Sequence, residues 1–269
     1  MQRSTTKTFT TQVKLALTDT HKAFLEKSFY YAEIIYNLCT KYAMKQIRKL
    51  EMDSRYKTAR GKERTNLINE YKLNQAGLYS FVKVIGKKYK KYLDSITVQA
   101  IADRVLVSVQ KYLYKNGKRL HFKKRGDLDS IQGKTNHNKL SYDVEKNIVR
   151  FMNMKMKVRN NDLKDDYVKE ALQNRIKFVM IKRMPFNNGY HYYLQIVLEG
   201  NPPNKKVKDV NGDVGIDIGT STIAVCSAEK CILKQLAPNS KKYLSKLNKV
   251  MIKMEHSRRI NNPDNFNDD

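Results

Sequence analysis

The sequence predicts an α+β protein of several domains, because three kinds of pattern follow one another along the chain. After a short strand comes a long region of helical periodicity, then a region of strands and turns, and finally a short meander with a basic helix. The stretch Gly200–Lys206 combines Pro, Gly and charge and is the clearest linker. It predicts a boundary before the last part of the chain.

The first region opens with a strand over Thr8–Leu17, where apolar and polar residues partly alternate. Thr18 or Asp19 then supplies the N-cap of a long helix that we predict to reach about Leu50. Its apolar side chains recur at helical spacing and predict core packing. They are Phe24, Leu25, Phe29, Ala32, Ile35, Tyr36, Cys39 and Tyr42.

Two more helical blocks are predicted, from about Arg64 to Tyr92 and from about Thr97 to Tyr114, the second with Ser95 or Thr97 as its N-cap. Between them lies the basic run Gly86–Tyr92, which contains two tyrosines. This run fits a solvated helix end and a phosphate-contacting surface equally well.

Strands and turns follow Gly117, beginning with the basic, turn-terminated segment His121–Gly126. A hairpin is expected from Arg175–Met184 and Tyr190–Leu198, joined through an Asn-Gly turn. The other expected strands are Leu140–Tyr142, Asn147–Phe151, Met154–Val158, Asp213–Gly219, Ser221–Ser227 and Cys231–Leu236. A basic helix is expected from about Ser240 to Arg259, and a frayed tail over Asn261–Asp269.

The charge balance indicates a polyanionic partner. Lys and Arg number 53 against 26 Asp and Glu, a formal net charge of +27. Self-repulsion at that charge weakens the compact state, so we expect nucleic acid as the partner, with a ribosome-associated structural protein or a membrane-surface protein as alternatives. The sequence has no apolar signal segment and no apolar run long enough to span a membrane, so a cytoplasmic protein is expected.

The three cysteines, Cys39, Cys226 and Cys231, are too few and too scattered for a disulfide framework. No two of them form a C-x-x-C pair, so we expect no zinc site in this chain. Cys39 falls within the apolar stripe of the long helix and is expected to be a buried small hydrophobe.

Asp217 is the candidate catalytic and metal-binding residue. It stands between Ile216 and Ile218 in a run of apolar strand residues, where a buried acid is costly unless it is compensated. Gly215 and Gly219 allow a ligand or another backbone to approach closely, and a divalent cation is the usual compensation. The alternative is an aspartate that caps a turn at a strand end.

The pattern Gly215–Thr220 is shared by two groups of proteins. In the actin, heat-shock-chaperone and sugar-kinase ATPases it opens a phosphate-binding hairpin. Those proteins carry the motif near the N-terminus and do not need a net charge of +27. They also need a second phosphate loop and an adenosine pocket after the motif, and only about fifty residues follow Asp217 here. The ATPase group is therefore the alternative interpretation.

In the RuvC-like nucleases, which share the RNase H-like fold, the first strand carries the first of three acids. Here the resemblance extends along the chain: a long helix with Tyr36-Asn37, then the basic segment Phe122–Gly126, Ser130-Ile131, and the strand around Asp217. The segment Arg258–Asn267 resembles the region after the first RuvC helix. The chain resembles the TnpB family of transposon-encoded RNA-guided endonucleases, which is related to the type V CRISPR effectors.

The resemblance implies a wedge-like β-barrel that binds guide RNA, a helical recognition domain for the guide–target duplex, and the start of a RuvC domain that cleaves DNA with Mg²⁺. The implied divisions are 1–18 with 118–199 for the barrel, 19–117 for the helices, 200–212 for the linker and 213–269 for the RuvC part. The candidate nucleic-acid contacts are Lys87, Lys88, Lys90, Lys91, Phe122, Lys123, Lys124, Arg125, Lys241, Lys242 and Lys246.

The sequence departs from the family pattern after Asp217. The family pattern includes a later Glu, a third Asp and a four-cysteine zinc ribbon, and none of them is present in these residues. Zinc is therefore expected only in a further C-terminal part. A two-metal site needs several carboxylates, so we expect this chain to be inactive alone, as a truncated nuclease or a cleavage-dead RNA-guided DNA-binding protein.

Overall fold

The computed structural model describes residues 6–114, 116–187, 189–204 and 212–262, without the side chain of Lys241. The chain divides into two compact units, Met1–Lys205 and Lys206–Asp269. The predicted linker and frayed tail lie partly outside the described residues. Among the helices that the structure describes, none is long and apolar enough to cross a membrane.

The first unit begins as the sequence predicts. Strand β1 spans Thr8–Ala16 and helix α1 spans Asp19–Met52. Thr18 is confirmed as the N-cap: its hydroxyl accepts a hydrogen bond from the His21 backbone N–H, and the His21 ring accepts one from the Thr18 N–H. Most of the apolar stripe of α1 is buried, with Phe24 and Tyr42 partly buried, and Cys39 within it has no exposed surface. Burial raises the pKa of the Cys39 thiol to about 12.

Four helices follow: α2 Ser54–Thr58, α3 Gly61–Glu70, α4 Gln75–Lys88 and α5 Ser95–Leu113. The prediction of one helical block from Arg64 to Tyr92 is wrong. The chain breaks between α3 and α4, where Lys72 has a positive φ of 57° and Asn74 caps α4 by accepting from the Gly77 N–H at 2.8 Å.

Gly77 makes this break possible. A Cβ at that position would lie 2.3 Å from the carbonyl oxygen of Lys72, so no larger residue fits there. The N-cap of α5 also differs from the prediction. It is Asp94, whose carboxylate accepts from the Thr97 N–H at 2.9 Å, rather than Ser95 or Thr97.

The β-rich region forms one antiparallel sheet with β1. Its strands are β2 Ser130–Gln132, β3 Leu140–Asp143, β4 Ile148–Phe151, β5 Met154–Val158, β6 Ile176–Phe186 and β7 Gly189–Glu199. The order is β2-β6-β7-β1-β5-β4-β3, and β3 also contacts β6, so the sheet nearly closes into a barrel. A single 3-10 turn, Asp162–Lys164, and the short helix α6, Asp166–Ala171, connect β5 to β6.

The hairpin of β6 and β7 is confirmed, but its strands are longer than predicted. Phe186 pairs with Gly189, so Pro185 belongs to β6 rather than to the connection. Proline is tolerated there because β2 begins at Ser130, opposite Lys182, and does not reach Pro185, which leaves one side of β6 without a β2 partner at that residue. Gly189 has a φ of +108°, which favours glycine.

The core of the first unit joins the barrel to the helices. Inward-facing strand residues such as Val13, Phe151 and Leu194 are buried together with Phe29 of α1 and Val105 of α5. Strand and helix residues therefore belong to one continuous hydrophobic cluster. An α+β fold with a nearly closed antiparallel barrel is thus confirmed, and the assignment of the helices to a recognition domain stays a prediction.

The second unit is a three-stranded meander followed by a helix. Strands β8 Val214–Ile218, β9 Thr222–Ser227 and β10 Cys231–Gln235 pair antiparallel in the order β10-β9-β8, and α7 spans Ser240–Asn261. Ile216 and Ile218 are 61% and 69% exposed, in contrast to the buried strand that the sequence suggests. Three strands and one helix enclose little apolar surface, which accounts for the exposure.

The cysteines of the second unit are closer together than expected. Cys226 and Cys231 lie directly opposite each other on β9 and β10, with their Cα atoms 4.1 Å apart, and the two sulfur atoms are joined as a disulfide. The sequence predicts no disulfide framework, because its three cysteines are few and scattered, and it does not indicate that Cys226 and Cys231 pair. The register of the hairpin brings them together, because residues opposite each other in adjacent strands are near in space.

Candidate nucleic-acid interface

A groove of about 820 Å³ lies between the end of α4, the start of α5 and the loop before β3. Its floor includes Val82 and Val98, which are buried. Gly86 allows the two helices to approach, since a Cβ there would lie 3.1 Å from a methyl group of Val98. The cationic and imidazole side chains that line the groove are Lys83, Lys87, Lys90, Lys139 and His137.

The groove is strongly basic. The four lysines are exposed, and none of them forms an ion pair with another residue that the structure describes. Asp94 also lines the groove, but its carboxylate caps α5. Four unpaired cations beside one engaged carboxylate make a site that attracts phosphate groups. Of these residues, the sequence analysis names Lys87 and Lys90 and misses Lys83, Lys139 and His137.

The structure separates the predicted basic run into two parts. Lys88 and Lys91 do not line the groove; their Nζ atoms lie 6.0 and 5.7 Å from the ring centres of Tyr89 and Tyr92. Both tyrosine rings pack against Tyr31 of α1, with ring centres 4.7 and 5.0 Å away. The tyrosines therefore anchor the run to α1, and the lysines above them remain exposed.

A second network holds the loop that forms the far wall of the groove. Lys134 Nζ lies 2.8 Å from a carboxylate oxygen of Asp103 on α5, and Tyr79 of α4 donates a hydrogen bond of 2.6 Å to the same carboxylate. Burial alone would raise the pKa of Asp103, but hydrogen bonds from Lys134, Tyr79 and Gln75 outweigh it and lower the pKa below its ordinary value. No sequence pattern indicates this network, because its members come from three distant segments.

The basic turn Phe122–Gly126 is held by α1. Asn37 donates from its amide nitrogen to the carbonyl oxygen of Lys123 at 2.9 Å and accepts from the Lys123 N–H at 2.8 Å. Glu33, one turn earlier, accepts from the Gly126 N–H at 2.8 Å. Phe122, Lys124 and Arg125 are exposed and Lys123 is half-buried, so the turn presents a ring and two cations to solvent.

The candidate residues of the second unit lie on two elements. Asp217 on β8 is opposite Ala224 of β9 and is exposed. Lys242 and Lys246 are exposed on α7, four residues apart and therefore on one face with Lys249 and Lys253. The side chain of Lys241 lies outside the described part of the structure.

Asp217 stays a predicted metal ligand, because the described residues do not complete a metal site around it. Among the described residues, no group of three or more His, Cys, Asp or Glu side chains could hold a metal ion. A single exposed carboxylate is a poor donor set for Mg²⁺, which takes octahedral oxygen ligands, and a two-metal nuclease site needs several carboxylates. The residues that the structure brings together are therefore suited to binding phosphate, and no cleavage step follows from them.

Two comparisons with known proteins find no match. No protein-family model matches the sequence, and no curated protein matches it. Among solved structures, the chain is similar to a CRISPR-Cas12f ternary complex, with 12% identity, a TM-score of 0.40, and coverage of 94% of this chain and 54% of that chain. It is also similar to a Cas12f1–sgRNA–target DNA complex, with 10% identity, a TM-score of 0.34, and coverage of 95% and 69%.

The chain spans about half the length of the first of these structures. At such TM-scores and identities the similarity identifies no site residue and assigns no activity to this chain. The features that indicate a nucleic-acid interface are the groove, the basic turn and the net charge.

Proposed function

We propose that this chain is an RNA-guided DNA-binding protein of the TnpB kind, whose described residues supply the nucleic-acid-binding part. The observation that carries the proposal is the groove between α4 and α5, with four exposed lysines that have no acidic partner among the described residues. A polyanionic partner reduces the self-repulsion of a protein with a formal charge of +27, and a basic groove of this kind is a defined binding site for that partner.

The arrangement of the cations suits a phosphate backbone. Lys83 and Lys87 are one helical turn apart on α4, and Lys90 follows at the end of the helix. Lys139 lies across the groove on the loop that Lys134 and Asp103 tie to α5. One strand can therefore contact cations on both walls, which positions the strand without reading its sequence.

A division of labour between the two parts of the first unit follows from the proposal. The barrel and the turn Phe122–Gly126 would hold the guide RNA, and α1 to α5 would support the guide–target heteroduplex and a short motif beside the target. In such a system base pairing reads the sequence, and the protein holds the backbone and its shape. The lysine stripe of α7 would contact the same nucleic acids.

Cleavage is not part of the proposal for the described residues. Asp217 would be one ligand of a Mg²⁺ site only if further carboxylates joined it. We therefore propose binding rather than hydrolysis as the function of the part of the chain that the structure describes.

The test is to express the chain from a plasmid that includes the flanking DNA and to sequence the RNA that copurifies with it. The proposal predicts one defined RNA species, bound in proportion to the protein. Recovery of bulk cellular RNA without a preferred species would overturn it. A matched control replaces Lys83, Lys87, Lys90 and Lys139 with alanine and is expected to lose most of the bound RNA.

A further inference from the structure

A second cleft of about 520 Å³ lies between α1, the turn Phe122–Gly126 and the β6–β7 hairpin. It shares no residue with the groove between α4 and α5. Its volume falls within the range of roughly 300–1,000 Å³ that small-molecule sites occupy. The side chains that line it include Glu26, Lys27, Tyr30, Glu33, Arg125 and Tyr190.

Arg183 connects the groups at the floor of this cleft. Arg183 of β6 is 5% exposed, and its guanidinium lies between the rings of Phe29 and Tyr190, 4.5 and 4.8 Å from their centres. The guanidinium also donates to Glu26 at 2.7 Å and to the Leu128 carbonyl at 3.2 Å. The contacts of the Arg183 guanidinium with the two rings, the Glu26 carboxylate and the Leu128 carbonyl hold these four groups in place.

The rim of the cleft has partly exposed tyrosine rings and exposed cations. Tyr30 is 48% exposed and Tyr190 is 39% exposed, so part of each ring is open to contact. Lys27 and Arg125 are exposed at the edge. Exposed tyrosine rings stack on nucleobases of any sequence, and neighbouring cations contact the phosphate of the same nucleotide.

The carboxylates of the cleft can still accept hydrogen bonds. Glu26 accepts from Arg183 and from the Tyr192 hydroxyl, and Glu33 accepts from the Gly126 N–H. Because a carboxylate has about four acceptor positions, both retain lone pairs. Such an acceptor favours a base with an exocyclic amino group, as in the pairing of Glu with the N4 amino group of cytosine.

We propose that this cleft, which we call the α1–hairpin cleft, binds one unpaired nucleotide whose base carries an exocyclic amino group. The base stacks on Tyr30, its amino group donates to Glu26 or Glu33, and its phosphate contacts Lys27 or Arg125. The inference rests on the proposed function and deepens it. The groove contacts only the phosphate backbone of the nucleic acid, whereas this cleft would recognise a single base.

The probe is a fluorescently labelled single-stranded oligocytidylate, as RNA and as DNA, with oligouridylate for comparison. Tyr30→Ala should weaken oligocytidylate binding roughly tenfold, because the ring that stacks on the base is lost. The salt dependence of binding should stay unchanged, because no phosphate contact is removed. Tyr30→Phe should bind like the wild type. Tyr114→Ala, which removes another exposed tyrosine, is the matched control and should have no effect.

The second variant replaces both Lys27 and Arg125 with alanine. It should reduce the slope of log affinity against log salt by about one, because the phosphate loses whichever of the two cations contacts it. The RNA and DNA forms of the probe identify which strand supplies the nucleotide. Equal affinity of Tyr30→Ala and wild type for oligocytidylate, or equal wild-type affinity for oligocytidylate and oligouridylate, would overturn the inference. If the copurifying RNA of the preceding test is nonetheless a defined species, the proposed function stands without this cleft.

Discussion

Asn37 is the residue that connects the long helix to the basic turn. Its side-chain amide forms two hydrogen bonds with the backbone of Lys123, one donated and one accepted, across 86 positions of sequence. The amide thus satisfies an N–H and a carbonyl that no strand or helix pairs. The sequence marks Tyr36-Asn37 as part of a family resemblance but cannot assign this role, because the partner is distant in the chain.

Asn37→Ala should destabilise the first unit by about 1–3 kcal/mol, since both backbone groups of Lys123 lose their partner. Urea unfolding followed by circular dichroism measures the change. Lys41→Ala, at an exposed position of the same helix, is the control and should change the stability by less than about 0.5 kcal/mol. Equal effects of the two substitutions would contradict the role given to Asn37.

Gly126 is required by the conformation of the same turn. It has a φ of +91°, and a Cβ there would lie 3.2 Å from the hydroxyl oxygen of Tyr190. Gly126→Ala should therefore cost about 1–3 kcal/mol of unfolding free energy. Gly117→Ala, where a Cβ would make only ordinary contacts from 3.5 Å, is the matched control and should be neutral or slightly stabilising. A thermal melt that is unchanged in Gly126→Ala would refute this account of the turn.

At the scale of elements, regular periodicity made most helices and strands predictable. The stripe of α1, the hairpin of β6 and β7 and the meander of the second unit follow directly from spacing. The break between α3 and α4 was missed, because it depends on the positive φ of Lys72 and on the space left by Gly77. Tertiary contacts decide both features, and a sequence pattern does not contain them.

The candidate site was predictable only in part for the same reason. The basic run Gly86–Tyr92 is visible in the sequence, but the groove also uses Lys139 and His137 from a loop about fifty residues later. The ion pair of Lys134 and Asp103 brings that loop to α5. Local charge patterns indicate a phosphate-contacting surface, whereas the walls of the groove become known only from the fold.

The Lys134–Asp103 pair gives the groove wall a dependence on pH. The pKa of Asp103 is lower in the folded protein than its ordinary value of 3.8, so the ionised form stabilises the fold above that pH, and the stabilisation is lost as the pH falls through the folded-state pKa. Asp103→Asn should therefore be less stable than the wild type at pH 7, and the difference should shrink below about pH 4.

Urea unfolding of both proteins across the acid range measures this difference. Lys134→Met provides the control background, because Asp103→Asn should have a smaller effect when the cation is already absent. A stability difference between wild type and Asp103→Asn that is the same at pH 7 and at pH 3 would contradict the role of the ion pair.

At the scale of the whole molecule, the net charge of +27 attracts polyanions, and the groove determines where they bind. The pattern around Asp217 resembles that of the RuvC-like nucleases, but the described residues include no group of three or more His, Cys, Asp or Glu side chains that could hold a metal ion. Binding is therefore the function that the described residues support.

The dependence of RNA affinity on salt tests this claim most directly. Replacement of Lys83, Lys87, Lys90 and Lys139 with alanine should lower the slope of log affinity against log salt by about three. Each lost phosphate contact lowers the magnitude of this slope by roughly 0.7–0.9. A control with the same charge change replaces four exposed lysines elsewhere in the first unit. They are Lys41, Lys49, Lys62 and Lys111, which lie on α1, α3 and α5, outside the groove, the barrel and the turn Phe122–Gly126.

If the groove is the interface, the slope of this control variant stays near that of the wild type, while the slope of the groove variant falls by about three. If both variants lower the slope equally, the protein binds RNA through its overall charge, and the groove is not the interface.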